Sequence, residues 1–286
     1  MDLSVLMYTN ESYLPIASLF TKEFNKFSNG LEIKKYVCSN TFNYPHELDF
    51  QDFVKLDSST ELSSDSRQFS KVMLDGLKQI DSEYVLFMLD DFFLITEIKV
   101  DILNSLIDVM TESKIDHLSL MSYGHSWNKL SIDYSKFNLP NDIILEVPMS
   151  YCYMFSLQPS IWKRESLIEI FTHNPNISVH EYDSSNIRNK KGERRSGDDG
   201  HGYINTPDNF WDYGFTHYCL NRTFETALYT FDDRPLEGDY FLFLYSGAMR
   251  FGKFDFNTHN NTKLYIVKYL EENNITKDHP VFGKYF

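Results

Sequence analysis

The chain opens on a short apolar run, Leu3 to Tyr8, stopped by the polar turn Thr9-Asn10-Glu11-Ser12. An apolar run this short, bounded by turn residues, predicts a buried strand. Leu14, Ala17, Phe20, Phe24 and Phe27 then recur at three- and four-residue steps, the spacing of one apolar helix face. Asn29-Gly30 stops that helix, and Ile33 to Cys38 predicts a second strand. Strand, helix, strand is a βαβ start, whose crossover is right-handed. Phe53 to Leu56 suggests a short third strand. Asp65 to Ile80 predicts a helix with Phe69, Val72, Met73, Leu77 and Ile80 on one face. Tyr84 to Leu89 (YVLFML) is continuously apolar, as in a strand covered on both faces. It runs directly into Asp90-Asp91 and then Phe92-Phe93-Leu94.

The second half is less regular. Lys99 to Ser113 predicts a helix with Leu103, Leu106, Ile107 and Met110 inward. His117 to Met121, Ile143 to Val147 and Tyr151 to Ser156 predict strands. Pro159 suits a first helical turn, so a helix is expected over Ser160 to Phe171. Residues 172–212 are rich in Asn, Ser, Asp and Gly and too long for a passive connection. They read as either a mobile functional loop or a locally disordered stretch. A strand over Tyr240 to Leu244 and a helix over Lys263 to Asn273 complete the chain. At 286 residues this makes one large α/β domain, or two small lobes sharing a core.

Charge narrows the partners. The formal net charge is -14, and a protein that grips nucleic-acid phosphates needs a basic face. The dense basic run from Arg188 to Arg195 lies within the polar stretch, so a nucleic-acid role is disfavoured. An acidic chain that handles anionic ligands usually recruits a metal or a local cationic loop. Cys38, Cys152 and Cys219 are odd in number, widely spaced and without a CxxC pair. That fits a reducing compartment and argues against both a disulfide framework and a zinc site. No basic-then-apolar leader opens the chain, and no apolar run approaches the roughly 18 residues of a membrane span. A cytoplasmic protein is expected, in the host cytoplasm if the source is viral.

The candidate chemistry centres on Asp90 and Asp91. In open α/β sheets ligands collect outside the carboxyl ends of the strands. Two uncompensated carboxylates are costly there. A divalent cation offsets that cost, and Mg²⁺ or Mn²⁺ often uses only one or two carboxylates plus phosphate oxygens. Such a metal can neutralise charge that develops on a diphosphate leaving group. The bland alternative is that the two acids merely cap a turn. There is no G-x-S-x-G elbow, Walker loop or G-x-G-x-x-G. Asp198-Asp199-Gly200 lacks the spacing of a calcium loop. His201 and His217 are candidates for a late metal ligand.

The run from Gln79 to Leu94, QIDSEYVLFMLDDFFL, resembles a motif of bacterial and viral glycosyltransferase-like proteins with the GT-A fold. Ser156 to Glu165, SLQPSIWKRE, is similar to their second signature, S-x-Q-P-x-x-W-x-[KR]-E. Together they span residues 79–165. The resemblance implies a GT-A-like αβα sandwich around a mostly parallel central sheet, with a long acceptor-side loop. Residues 1–100 would form the donor half and 101–286 the acceptor half, with loop 172–212 mobile, all in one continuous unit. It further implies a nucleotide-sugar donor, a hydroxyl acceptor such as a glycan, lipid-linked sugar or surface polysaccharide, and Mn²⁺ or Mg²⁺ as cofactor. A modified base stays open as an acceptor.

The family's usual acidic motif is Asp-x-Asp, whereas Leu89-Asp90-Asp91 stands here. Asp91 aligns with the metal-binding last position and Asp90 with the middle one. Which carboxylate meets the metal and which the ribose is therefore open. Thr9, Asn10 and Glu11 are placed where such folds hold the nucleoside, with a helix cap as the alternative. Arg67, at the start of a helix, could reach a diphosphate oxygen. Trp162, Lys163 and Arg164 are acceptor-side candidates, Trp162 by stacking on a sugar ring, with a core residue of its helix as the alternative, and the two cations by binding an anionic group. A W-E-x-E-like element is matched by Glu181 and Asp183, with His180 in place of the Trp. Glu181 or Asp183 would take the acceptor hydroxyl proton. Two rivals share these features: a non-catalytic sugar-binding or scaffold protein on a degenerate transferase fold, and a metal-dependent nucleotidyltransferase.

Overall fold

The first strand, β1 (Leu3–Thr9), is buried at every position. It can be, because two parallel neighbours satisfy its backbone and helices cover both faces. The computed structural model describes residues 2–28, 31–58, 69–94, 96–122, 127–147, 158–174, 215–220, 245–247, 249–250, 253–254 and 267–286. After β1 a turn leads into α1 (Leu14–Phe27), with Pro15 in its first turn, where a missing N–H costs nothing. Then come β2 (Lys34–Ser39), β3 (Val54–Asp57), α2 (Phe69–Leu77) and β4 (Tyr84–Leu89).

β1 lies between β2 and β4, parallel to both, with Tyr8 opposite Cys38 on one side and Leu89 on the other. A short β5 (Phe92–Leu94) follows the acidic turn. Next are α3 (Val100–Glu112), β6 (His117–Ser122), β7 (Ile144–Glu146), β8 (Ser160–Lys163), α4 (Arg164–His173) and β9 (His217–Leu220). β10 (Tyr245–Gly247), β11 (Met249–Arg250) and β12 (Lys253–Phe254) are short. A last helix, α5, covers 267–272.

Among the described residues the central sheet has eight strands in the order β3-β2-β1-β4-β8-β6-β9-β7. The pairings set β1 to β4, β6 and β9 in one direction and β7 and β8 in the other. The fold is thus α/β, with a mostly parallel sheet. Strand periodicity divides the core into two layers. Val5, Met7, Leu86, Met88 and Leu118 pack with α1 and α3. Leu6, Tyr8, Val85 and Phe87 pack with α2 and α4. α2 lies close on β2: a Cβ on Gly76 would stand 3.2 Å from Cys38 Cβ.

One predicted element changes type. The helix expected from Ser160 begins only at Arg164, because Ser160–Lys163 is a strand inserted antiparallel between β4 and β6. Its side chains alternate accordingly, Ile161 toward the α1/α3 layer and Trp162 toward the α2/α4 layer. The expected strands at Tyr151 to Ser156 and Tyr240 to Leu244 lie outside the described residues, as does loop 172–212 beyond Asn174.

Candidate functional site

Two strands that end together create the site. β1 finishes at Thr9 and β4 at Leu89, and the chain turns through Asp90-Asp91 into β5. β5 pairs antiparallel with β10, while Phe93 packs edge-on to Phe20 of α1 and Tyr269 of α5, with ring centroids 6.4 and 5.3 Å apart. The acidic turn is therefore pinned on both sides. β2 and β3 lie to one side of β1 and β4 to the other, and α1 and α2 cover opposite faces. The gap between the carboxyl ends of β1 and β4 is thus the switch point of the sheet, where α/β folds hold ligands.

Thr9 Oγ1 donates to Asp90 Oδ2 at 2.5 Å, across that gap. Asp90 is 7% exposed. Its carboxyl is held well above the usual carboxylate range by burial and then by the Asp91 charge, with the Thr9 bond pulling the other way. Asp91 is also pushed up, by burial. Its Oδ1 is buried and accepts no hydrogen bond. A buried carboxylate oxygen with no partner is costly, and a hard cation would satisfy it.

Among the described residues no group of three His, Cys, Asp or Glu forms a ready-made metal cage. Two carboxylates suffice for Mg²⁺ or Mn²⁺, which complete their shells with water and phosphate oxygens. The donor set is oxygen only, which suits those hard cations.

The rest of the rim comes from nearby turns. Asn10 Oδ1 accepts from Ser12 N at 2.9 Å, so this side chain caps the short 3-10 turn Glu11–Tyr13. The Glu11 side chain is exposed, and its N–H donates to Asn40 Oδ1 at 3.0 Å, tying the ends of β1 and β2 together. Tyr8 sits just below, its ring edge-on to Phe69 at 4.7 Å. Its phenol is pushed up by burial and then by Cys38 and Asp90. The C-terminal residues close one side. Tyr285 donates its hydroxyl to Ser12 O, and its phenol is pushed up by burial, then Tyr44, Asp90 and Tyr13. Tyr8, Asn40 and Tyr285 went unnoticed in the sequence. Only Tyr8 carried a signal there, as the last apolar residue of the first strand.

The acceptor-side candidates are elsewhere. Trp162 is 1% exposed. Its ring stacks on His117 at 3.9 Å and its indole N–H donates to Ser160 Oγ at 3.0 Å. It is a core residue and presents no face to a sugar. Lys163 pairs with Tyr84, the first residue of β4. Lys163 and Arg164 therefore stand at the far end of that strand from Asp90, about 20 Å away at the usual rise per residue. Arg164 donates to Ile80 O at 2.7 Å and pairs with Glu165, so it fastens α4 to the end of α2.

His217 is no metal ligand for the acidic pair either. Its Nδ1 faces His117 Nδ1 at 3.2 Å, buried at that same far end. Arg67, Glu181, Asp183 and His201 lie outside the described residues.

No family model matches the chain, and no curated protein does. Among solved structures it is similar to Staphylococcus aureus TarS at 18% identity, covering 63% of this chain and 30% of that one, with a TM-score of 0.37. A mannosyltransferase from Pyrobaculum calidifontis, in complex with GDP-Man and Mn²⁺, matches at 11% identity, 59% and 46% coverage and a TM-score of 0.37. A 4-diphosphocytidyl-2C-methyl-D-erythritol synthase from Anaerococcus prevotii matches at 13% identity, 64% and 80% coverage and a TM-score of 0.35. The chain thus spans under a third of the TarS chain and under half of the mannosyltransferase. Similarity this distant carries no argument on activity, and the α/β fold rests on the sheet itself.

Proposed function

We propose that this chain is a glycosyltransferase of the GT-A type, which moves a sugar from a nucleotide-diphosphate-sugar donor to a hydroxyl acceptor with the help of Mn²⁺ or Mg²⁺. One observation carries the reading. An acid pair stands at the β1/β4 switch point, with the buried Asp90 oriented by Thr9 and the half-buried Asp91 keeping one buried, unmatched oxygen. Turn-capping acids would be expected to spend their oxygens on nearby N–H groups.

Asp91 would hold the metal and Asp90 would share it or orient the ribose. The bound metal would neutralise charge on the departing nucleoside diphosphate. Thr9 keeps the Asp90 carboxylate in place, and Tyr8 supplies an apolar floor that keeps the pair desolvated. Arg67 is retained as a diphosphate contact. Glu181 or Asp183 would accept the proton of the attacking hydroxyl. A glycan, lipid-linked sugar or surface polysaccharide is the acceptor class we favour. We place the reaction in the cytoplasm: Cys38 and Cys219 are free thiols, and no helix among the described residues is long and apolar enough to cross a membrane.

The test is a thermal-shift panel of UDP, GDP, CDP, dTDP and ADP sugars, with and without Mn²⁺, on the wild type and Asp91→Asn. A ligand that binds only the native state raises Tm by mass action. A shift that needs Mn²⁺ and vanishes in the variant is expected. A shift that needs no metal and survives in the variant would sink the metal assignment and favour a sugar-binding protein. A nucleoside triphosphate that shifts where no nucleotide sugar does would favour a nucleotidyltransferase.

A further inference from the structure

The end of the chain reaches the rim of the candidate donor site. Ile275, Phe282 and Tyr285 are buried. His279 Nδ1 accepts from the N–H groups of Val281 and Phe282 at 3.1 and 3.3 Å, fixing the bend before the last residues. A Cβ on Gly283 would stand 2.3 Å from Lys277 O, so only glycine lets the segment fold back this closely. Tyr285 then donates to Ser12 O in the turn that follows β1. Lys284 is exposed, and its Nζ lies 3.4 Å from the same carbonyl. The ammonium also sits 5.5 Å from the Tyr44 ring centroid and 4.8 Å from that of Tyr285. The two aromatic faces and the carbonyl all attract a cation, and together they hold this one beside the end of β1.

Electrostatics give that position a use. The crevice contains two acids, Asp90 buried and Asp91 half-buried, in a chain of net charge -14. A nucleoside diphosphate brings further negative charge, which one divalent ion does not fully offset. Several other cations are placed elsewhere. Lys34 pairs with Asp81 at the opposite end of the sheet, Arg164 binds the end of α2, and Lys55 lies over Phe42 and Phe50. Lys284 is on the correct rim, its Nζ against the carbonyl of Ser12 in the turn that follows the proposed nucleoside contacts, and its stem is long enough to swing.

We propose that Lys284 is a phosphate-binding arm of the donor site, carried by the C-terminal segment and recognising the diphosphate group of a nucleoside diphosphate. This rests on the transferase reading and adds a residue to it. Tyr44 and Tyr285 hold the ammonium at the rim, and the diphosphate draws it over the acid pair.

The experiment is calorimetric titration of the full chain, with Mn²⁺ present, using the nucleoside diphosphate identified in the panel and, separately, its parent nucleoside. Lys284→Ala should bind the diphosphate about tenfold more weakly or worse, as for a lost charge-assisted hydrogen bond, and bind the nucleoside unchanged. Lys284→Arg should keep most of the affinity. Gly283→Ala retains the charge but displaces the segment, and should weaken the diphosphate as Lys284→Ala does. The exposed position of Lys284 leaves the fold of the Lys284→Ala protein intact, which a melting curve checks. Wild-type affinity for the diphosphate in Lys284→Ala overturns the proposal while leaving the transferase reading standing. Equal losses for nucleoside and diphosphate also overturn it, since they would make the segment a wall rather than a phosphate contact. A wild type that binds no nucleoside diphosphate overturns the transferase reading and this proposal with it.

Discussion

Thr9 donates to Asp90 while Asp91 keeps an unmatched oxygen, so substitutions at these positions should act differently. Thr9→Val removes the donor but preserves the shape. It should leave the fold intact and weaken Mn²⁺-dependent nucleotide binding by about tenfold, measured by calorimetry. Asp91→Asn replaces a charge that burial disfavours. It should abolish the metal-dependent shift, yet raise the stability of the metal-free protein at pH 8 by about 1 kcal/mol or more, as functional sites often trade stability for activity. Urea unfolding in EDTA reads this directly. An Asp91→Asn protein less stable than wild type at pH 8 would mean that the carboxylate has a stabilising partner. The sequence exposes both acids because they interrupt an apolar run. It does not expose the Thr9 bond, which joins residues 81 positions apart and depends on β1 and β4 being neighbours.

At the scale of elements, legibility follows the range of the interactions. β4 is visible at its true limits, and β1 and α1 nearly so, because each carries its own signal: six apolar positions in a row in β4, a mainly apolar run closed by a polar turn in β1, and a face at three- and four-residue steps in α1. β8 is not. Its four residues follow Pro159, which suits a first helical turn, and run straight into α4, so they read as the start of that helix. The strand state wins because β4 and β6 each leave an open edge there, and a ladder on both sides outweighs local propensity. Within that ladder Trp162 is sealed against His117, which fits its reading as a core residue and leaves no face for a sugar. Packing sets the consequence. Trp162→Ala should cost about 3–5 kcal/mol, the range for a large buried aromatic, seen as a lower urea midpoint. Trp162→Phe should fold with wild-type nucleotide binding. A Trp162→Phe protein that folds but loses turnover on its acceptor would restore the sugar-stacking role.

At the scale of the whole molecule, two unusual titrating pairs among the described residues stand at opposite ends of the sheet, and their pH responses oppose each other. His117 and His217 sit nitrogen to nitrogen beneath Trp162. Burial holds His117 well below the ordinary histidine range, with the His217 charge adding to the effect. Burial brings His217 down to about 4, although Asp116 pulls it upward. As pH falls from about 6.5, the unfolded chain takes up protons that the native pair refuses, so this end loses stability toward acid. The acid pair does the reverse. Its native values lie above the unfolded value of about 3.9, so the native state keeps protons that the unfolded chain releases. That end loses stability as pH rises from about 4 through the raised native values. His117 faces Trp162, which pairs with Val85, five residues before Asp90 on β4. At the strand rise this is about 16 Å, far enough for the two effects to add. Melting temperatures between pH 4 and 8 in EDTA should therefore separate them. With Asp90→Asn and Asp91→Asn together, Tm should climb more steeply with pH than in the wild type. With His117→Phe and His217→Phe together, it should fall with pH relative to the wild type. Mn²⁺ with the bound nucleotide should flatten the alkaline loss in the wild type and in the histidine variant, because a cation favours the charged carboxylates. The same addition should leave the aspartate variant unmoved. An alkaline loss that persists in the aspartate variant would place its source outside the acid pair, in the general repulsion of a chain of net charge -14.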